Sequence, residues 1–80
     1  MTTQTEQAQR ELETGAWRDH QDGRELVSLV CLFDGPVLLG SMAILGGDYL
    51  TVEDAKADLL QCEGMTEAEA SWVILEGDNA

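Results

Sequence analysis

The sequence predicts an α+β fold in which a three-stranded antiparallel sheet follows an N-terminal helix and carries a second helix on one face. Two apolar runs, ELVSLVCLF and PVLLGSMAIL, lie on either side of Asp34-Gly35, which is typical of a β-hairpin. An amphipathic helical stripe begins after Thr51, and the apolar run SWVILEG closes the order α-β-β-α-β. Eighty residues are enough for one domain, so we expect residues 1–80 to fold as a single unit.

The N-terminal stretch MTTQTEQAQRELETG is polar and predicts a short helix. Thr5 would be its N-cap, and Ala8 and Leu12 would lie on one side. Because Leu12 is its only large apolar residue, we expect residues 1–15 to dock weakly or to fray. At the other end of the chain, we expect residues 77–80 to form a loose tail.

The run from Glu25 to Phe33 has a second interpretation, as a buried helix. Asp22 would be its N-cap, and Gly35 and Pro36 would end it. However, β-branched residues and a phenylalanine recur along this run, which favours a strand. The second run contains one glycine and is followed by two more, so it is a poor helix. We predict two antiparallel strands, and the helical alternative for the first run stays open at this point.

Thr51 begins the clearest helix of the chain. Thr51 and Asp54 have the spacing of a capping box with a short acid, and Gly64 provides a helix end. Apolar residues recur between them at i, i+3, i+7 and i+10, which predicts a buried stripe of Val52, Ala55, Leu59 and Cys62. Thr66 and Glu69 have the spacing of a second capping box, and the last strand follows them.

Acidic residues dominate the charge of the protein. Sixteen acids stand against four bases, for a net charge of −12. Residues 48–80 hold nine of the acids and one base, a net −8. Such a charge weakens the compact state by self-repulsion and argues against binding to nucleic acid or to an anionic membrane. A basic protein is the partner that this charge favours.

Composition also predicts where the protein works. The first ten residues are polar rather than a signal peptide, and no apolar run approaches the ~18 residues of a membrane span. We therefore expect a cytoplasmic protein that does not bind membranes. In a reducing compartment, Cys31 and Cys62 would be small core residues rather than a disulfide.

No pattern of residues indicates an enzyme. His20 is the only histidine, and we expect it to be a solvated residue of a polar loop. Buried thiols have a raised pKa and are poor nucleophiles. The segment GGDYLTVED lacks the ligand pattern of an EF-hand, and two cysteines with one histidine cannot close a zinc site. We predict no catalytic residue, no metal site and no cofactor.

The solvent-facing side of the second helix is the candidate site. Asp54 and Asp58 lie four residues apart and repel each other by a few tenths of a kcal/mol, so a helix selected for stability alone would carry a lysine there. These acids have two interpretations. They either form a solvated face that keeps the protein soluble, or they form a surface that fits a cationic groove of a partner. On the second interpretation, the protein-binding residues are Glu53, Asp54, Asp58, Glu63, Glu67, Glu69 and Tyr49.

The short chain, the net −8 of residues 48–80 and the β-β-α-β order around YLTVEDAKADLL resemble the small acidic anti-CRISPR proteins that phages encode. The resemblance is one of type across the whole chain and rests on no shared motif. It implies a DNA-mimicking inhibitor that binds a CRISPR effector of the type I Cascade kind in the host cytoplasm. Its acids would cover the basic surface that holds target DNA.

Two further expectations concern the partner. Tight binding needs a few buried anchors, for which Tyr49, Trp17 and Trp72 are candidates, although we expect Trp72 to belong to the core. The alternative function is an acidic interaction module, such as a small adaptor or antitoxin subunit unrelated to CRISPR. We expect a monomer or a weak homodimer, since an exposed hairpin edge allows pairing.

Overall fold

The computed structural model describes residues 3–77, and within them the elements follow the predicted α-β-β-α-β order. The α-helices are α1 (Gln4–Thr14) and α2 (Val52–Glu63). The strands are β1 (Leu26–Asp34), β2 (Val37–Leu45) and β3 (Ser71–Glu76). A first 3-10 helix covers Ala16–His20 and a second covers Glu67–Glu69. The predicted α+β class is confirmed, and the helical alternative for the first apolar run is wrong.

Strand β1 is the centre of the sheet. The strand order is β2-β1-β3, and both neighbours run antiparallel to β1. The β1 side chains Leu29, Val30, Cys31, Leu32 and Phe33 are completely buried. Burying one large apolar side chain stabilises a fold by about 1.5–3 kcal/mol, so β1 is the main source of core stability. Because β1 is buried on both faces, its sequence is a nearly continuous run of apolar residues rather than an alternation of apolar and polar ones.

The two helices cover opposite faces of the sheet. Helix α1 packs on the face that carries Leu29, Cys31 and Phe33, and α2 packs on the face that carries Val30 and Leu32. The second helix thus lies on one face as predicted, whereas the position of α1 on the other face is a feature that the sequence did not predict.

Helix α1 is held on the sheet by more than its single leucine. Ala8 is fully buried, and the side-chain amide of Gln7 donates a hydrogen bond of 2.7 Å to the carbonyl oxygen of Pro36. The expected N-cap, Thr5, is wrong: the Oγ1 atom of Thr3 accepts the hydrogen bond from the backbone N–H of Glu6. Starting the helix earlier brings its first turn to the hairpin loop between β1 and β2.

The hairpin turn is shifted by one residue from the predicted position. Asp34 belongs to β1 and pairs with Val37, so Gly35 and Pro36 are the two central residues of the turn. Gly35 has a φ of 58°, whereas the proline ring holds φ near −65°. A positive φ at the first central position alone defines a type II′ turn, which suits the twist of a two-residue hairpin.

Helix α2 begins and ends as predicted. The capping box of Thr51 and Asp54 is formed, and Gly64 ends the helix with a left-handed φ of 65°. The expected burial of Cys62 is wrong, because its side chain is exposed. Leu60, rather than Cys62, packs beside Leu59 against the core. Cys62 therefore lies outside the buried stripe of α2.

The end of β3 is anchored to β1. Gly77 is buried, and its backbone N–H donates a hydrogen bond of 2.9 Å to the carbonyl oxygen of Val27. A Cβ atom at Gly77 would collide with the carbonyl group of Leu26. Residue 77, just after β3, is therefore held against β1 rather than loose, and the rest of the expected loose tail, 78–80, lies outside the described residues.

Candidate protein-binding surface

We call the exposed acidic residues of α2 and of the second 3-10 helix together the acidic face, and within it the Glu63 carboxylate lies toward the sheet, beside Gly40 of β2. Ala55 and Leu59 direct one side of α2 into the core and leave the opposite side in solvent. Twelve residues of α-helix extend about 18 Å. All the acids that the sequence singled out are exposed, and they are Glu53, Asp54, Asp58, Glu63, Glu67 and Glu69.

Tyr49 lies in the loop that leads into α2. Among residues 3–77, it is the most exposed of the large hydrophobic residues. The loop is braced by Asp48, whose carboxylate accepts a 3.0 Å hydrogen bond from the backbone N–H of Leu45 and forms a 2.7 Å ion pair with Arg24. The Leu45 hydrogen bond, followed by the contact with Arg24, lowers the pKa of Asp48 below its ordinary range. A braced loop therefore presents a free aromatic ring at the N-terminal end of the acidic face.

The two tryptophans are less available than Tyr49. Trp72 is half-buried and packs with the core beneath α2, as predicted. Trp17 is also half-buried, and its indole N–H donates a hydrogen bond of 3.1 Å to the backbone carbonyl of Glu11. Of the three candidate anchors, only Tyr49 offers its whole ring to a partner.

Lys56 is the only lysine of the chain, and it is turned toward the sheet. Its Nζ atom lies 5.4 Å from the centre of the Trp72 ring and 3.9 Å from a carboxylate oxygen of Glu53. This side chain is only 23% exposed. The one base of the region therefore contacts an aromatic ring, and the outward part of the acidic face stays negative.

The acids of this face differ in what else they do. The Asp54 carboxylate accepts the backbone N–H of Thr51 at 3.3 Å, and Glu69 accepts hydrogen bonds from the hydroxyl and backbone N–H of Thr66. These contacts, the hydroxyl first, lower the pKa of Glu69. Both residues therefore help to cap helices. Within residues 3–77, no hydrogen bond or ion pair engages the remaining carboxylates, those of Asp58, Glu63 and Glu67.

The contacts that Arg18 and Arg24 make are with residues outside the acidic face. The guanidinium group of Arg18 lies 4.9 Å from the centre of the Trp17 ring, and its Nε atom donates a hydrogen bond to the Leu12 carbonyl oxygen. Arg24 is paired with Asp48, the residue that precedes Tyr49. Sequence reasoning missed the contacts of Arg18 with Leu12 and of Arg24 with Asp48 because each joins residues of different segments, and no spacing rule connects them.

The thiols have different environments. Burial and, to a smaller extent, the charge of Glu11 raise the pKa of Cys31 to about 11. Cys62 is exposed on α2. Among residues 3–77, no group of three or more histidine, cysteine or acidic side chains is arranged to hold a metal ion. No helix in that range is long and apolar enough to cross a membrane.

Comparisons of the chain with protein-family models, with curated proteins and with solved structures find no match.

Proposed function

We propose that this protein is an inhibitor that binds a basic surface of a bacterial defence protein through its acidic face. The observation that carries the proposal is the state of the charges on α2. Asp58 and Glu63 are exposed and have no ion-pair partner among residues 3–77, while Lys56, the one base of this region, contacts Trp72. Acids arranged in this way attract lysines and arginines of a partner and raise the rate of association.

The finer proposal is an anti-CRISPR protein that occupies the DNA-binding surface of a type I Cascade effector in the host cytoplasm. Duplex DNA carries one charge per ~1.7 Å, so a net −12 corresponds to about 20 Å of duplex. The molecule measures 33 × 28 × 21 Å. A groove that accepts duplex DNA thus meets a comparable charge over a comparable length.

Tyr49 supplies the aromatic anchor that a stable complex needs in addition to charge. Exposed ion pairs contribute only about 0–1 kcal/mol each, so a stable complex needs an aromatic or arginine anchor that becomes buried. Tyr49 projects from a loop that Asp48 and Arg24 hold in place, at the end of the acidic face. We propose that this ring enters the partner's surface while the acids surround it.

A second function is an interaction module such as an adaptor or antitoxin subunit. Strand β2 favours it, because Val37–Leu45 forms a sheet edge without a single charged residue. An edge of this kind is suited to contacts that do not depend on a cationic groove.

Binding to a purified type I Cascade on native gels, together with loading of target DNA, tests the inhibitor proposal. The informative variant is the double substitution D58K/E63K, which reverses two charges that no capping contact uses. Its matched control is E13K/D19K, which changes the net charge equally on exposed residues of α1 and the first 3-10 helix. Asp54 is left intact because its carboxylate caps α2.

We expect the wild type and the control to form a complex that excludes DNA, and D58K/E63K to bind at least about tenfold more weakly. Association of the wild type should slow steeply as salt screens the charges. Equal binding by both double variants, or a complex that still loads DNA, would refute occupation of the DNA surface by the acidic face. Absence of binding to several such effectors would favour the interaction module.

A further inference from the structure

The outer edge of β2 borders a groove that neither the acidic face nor the inhibitor proposal uses. Within residues 3–77, β2 pairs with β1 on one side only. The opposite wall consists of α1 and the first 3-10 helix, and the space between the walls forms two clefts of about 320 and 250 Å³. Glu11 lines both clefts, so they meet at its side chain.

The register of β2 shows why the groove is open. Residues 41, 43 and 45 pair with Cys31, Leu29 and Leu26, whose side chains lie on the α1 side of the sheet. Ser41 and Ala43 are small, so they leave space below Trp17 and Ala16. Larger residues at these positions would fill the cleft, whose lining at the end of the strand is the buried Leu45.

We propose that an extended peptide segment of a partner protein, apolar at alternate positions and carrying a lysine or arginine, adds to the sheet as a fourth strand along β2. An edge strand offers unpaired backbone N–H and C=O groups, and side chains at every second position of the added strand point to the same face. Those side chains enter the larger cleft, against Trp17, Ala43 and Leu45.

The charge of the groove determines which kind of peptide segment it can bind. Glu11 is half-buried and lines both clefts, and one of its carboxylate oxygens accepts a 2.9 Å hydrogen bond from Ser41. His20 lines the larger cleft and Arg10 the smaller one, so a cationic side chain is best placed beside Glu11 from the His20 side. The net charge of −12 favours a basic segment and opposes pairing of two copies through β2.

The edge of β3 is a poorer site for the same role. It is six residues long and ends in Glu76, whereas β2 has nine residues and no charge. Long uncharged edges are those that accept an added strand most readily, since natural proteins protect the others with charges or short length.

A displayed library of random peptides of about ten residues, the length of a long strand, provides the probe. The library is selected on the wild-type protein, and enriched peptides are then synthesised and titrated. We expect alternating apolar residues with a lysine or arginine, and amide chemical shifts that change along β2 and at the Trp17 indole. Shifts confined to α2, or no enriched peptide, would overturn the proposal.

Variants of the groove locate the binding. Ala43→Lys fills the larger cleft and adds a positive charge, and Gln61→Lys makes the same change of charge on the exposed side of α2. We expect A43K to weaken peptide binding at least about tenfold and Q61K to leave it unchanged. Ser41→Lys is a second groove variant if A43K does not fold. Equal binding by the wild type and the folded groove variant would exclude β2.

Methylation of the peptide backbone tests strand addition without altering the protein. In an added strand, alternate amide groups face β2 and the others face solvent. Methylating the amides that face β2 should abolish binding, and methylating the amides that face solvent should leave binding unchanged. Equal effects of both sets would overturn strand addition. Sedimentation of the free protein completes the test, because a dimer that A43K dissociates would show that a second copy, not a partner peptide, occupies the edge.

Discussion

The ammonium group of Lys56 lies over the indole ring of Trp72, 5.4 Å from its centre, and thereby joins the middle of α2 to the start of β3. A cation above an aromatic face contributes about 0.5–1 kcal/mol at a partly exposed site. Since Lys56 is the only lysine, this one contact fastens α2 to the sheet, and among residues 3–77 it leaves Asp58 and Glu63 without an ion pair, whereas Glu53 stays 3.9 Å from the ammonium group.

Substituting Lys56 by glutamine should therefore lower the free energy of unfolding by about 0.5–1 kcal/mol. Urea unfolding followed by circular dichroism measures the change. Gln61→Glu is the matched control, because it shifts the net charge by the same amount at an exposed position of α2. Equal losses in K56Q and Q61E would mean that net charge, rather than the contact with Trp72, accounts for the effect.

Lysine at position 54 and lysine at position 58 should change stability in opposite directions. Asp54→Lys removes a carboxylate that accepts the N–H of Thr51 and places a cation at the helix N-terminus, so we expect a loss of about 1 kcal/mol. Asp58→Lys replaces a repulsion with an attraction four residues after Asp54, and we expect a gain of a few tenths of a kcal/mol.

Thermal or urea unfolding at low ionic strength compares these two variants. The gain in D58K should shrink as salt is added, because screening weakens interactions between exposed charges. The loss in D54K should largely persist, since it includes a hydrogen bond. If both substitutions stabilise the protein equally, relief of general repulsion outweighs the capping box.

The Asp48 carboxylate should make a stabilising contribution that depends on pH. The N–H of Leu45 and the guanidinium of Arg24 hold the pKa of Asp48 below its ordinary value of 3.8 in the folded protein. A lowered folded pKa stabilises the fold above the ordinary value, and the contribution disappears as the pH falls through the lowered value. Asp48→Asn should therefore be less stable than the wild type at neutral pH, and the difference should narrow below pH 3.8.

Urea unfolding of D48N and of the wild type over this pH range measures the difference between their free energies of unfolding. Arg24→Gln is a useful companion, because it removes the ion pair but leaves the hydrogen bond from Leu45. At neutral pH, R24Q should lose less free energy of unfolding than D48N does. A difference between D48N and the wild type that stays constant through the acid range would contradict a role for the charged carboxylate.

Only one of the two thiols should react in the folded protein. Cys62 is exposed, whereas Cys31 is buried in β1 with a pKa of about 11, so little thiolate forms at neutral pH. Labelling with a thiol reagent should modify one cysteine rapidly and the second only after unfolding. Cys62→Ser should abolish the rapid phase. Rapid labelling of C62S without loss of structure would show that Cys31 is accessible.

Local signals in the sequence located the parts of the fold that depend on neighbours in the chain. The capping boxes that begin at Thr51 and Thr66 both form, because each requires two residues three positions apart and no tertiary contact. Gly64 ends α2 for a similarly local reason, its left-handed backbone conformation. Two apolar runs around a turn were sufficient to predict the hairpin, although the turn itself is shifted by one residue.

The sequence by itself therefore determined the order of elements, the ends of α2 and the strong local excess of acids. Tertiary structure alone decided that β1 is central, that α1 covers the second face, that Cys62 is exposed and that Lys56 contacts Trp72. It also decided that Ser41 and Ala43 lie beside an open groove. The physical reason is range: capping and periodicity act between residues a few positions apart, whereas these contacts join distant segments whose positions depend on packing of the whole core.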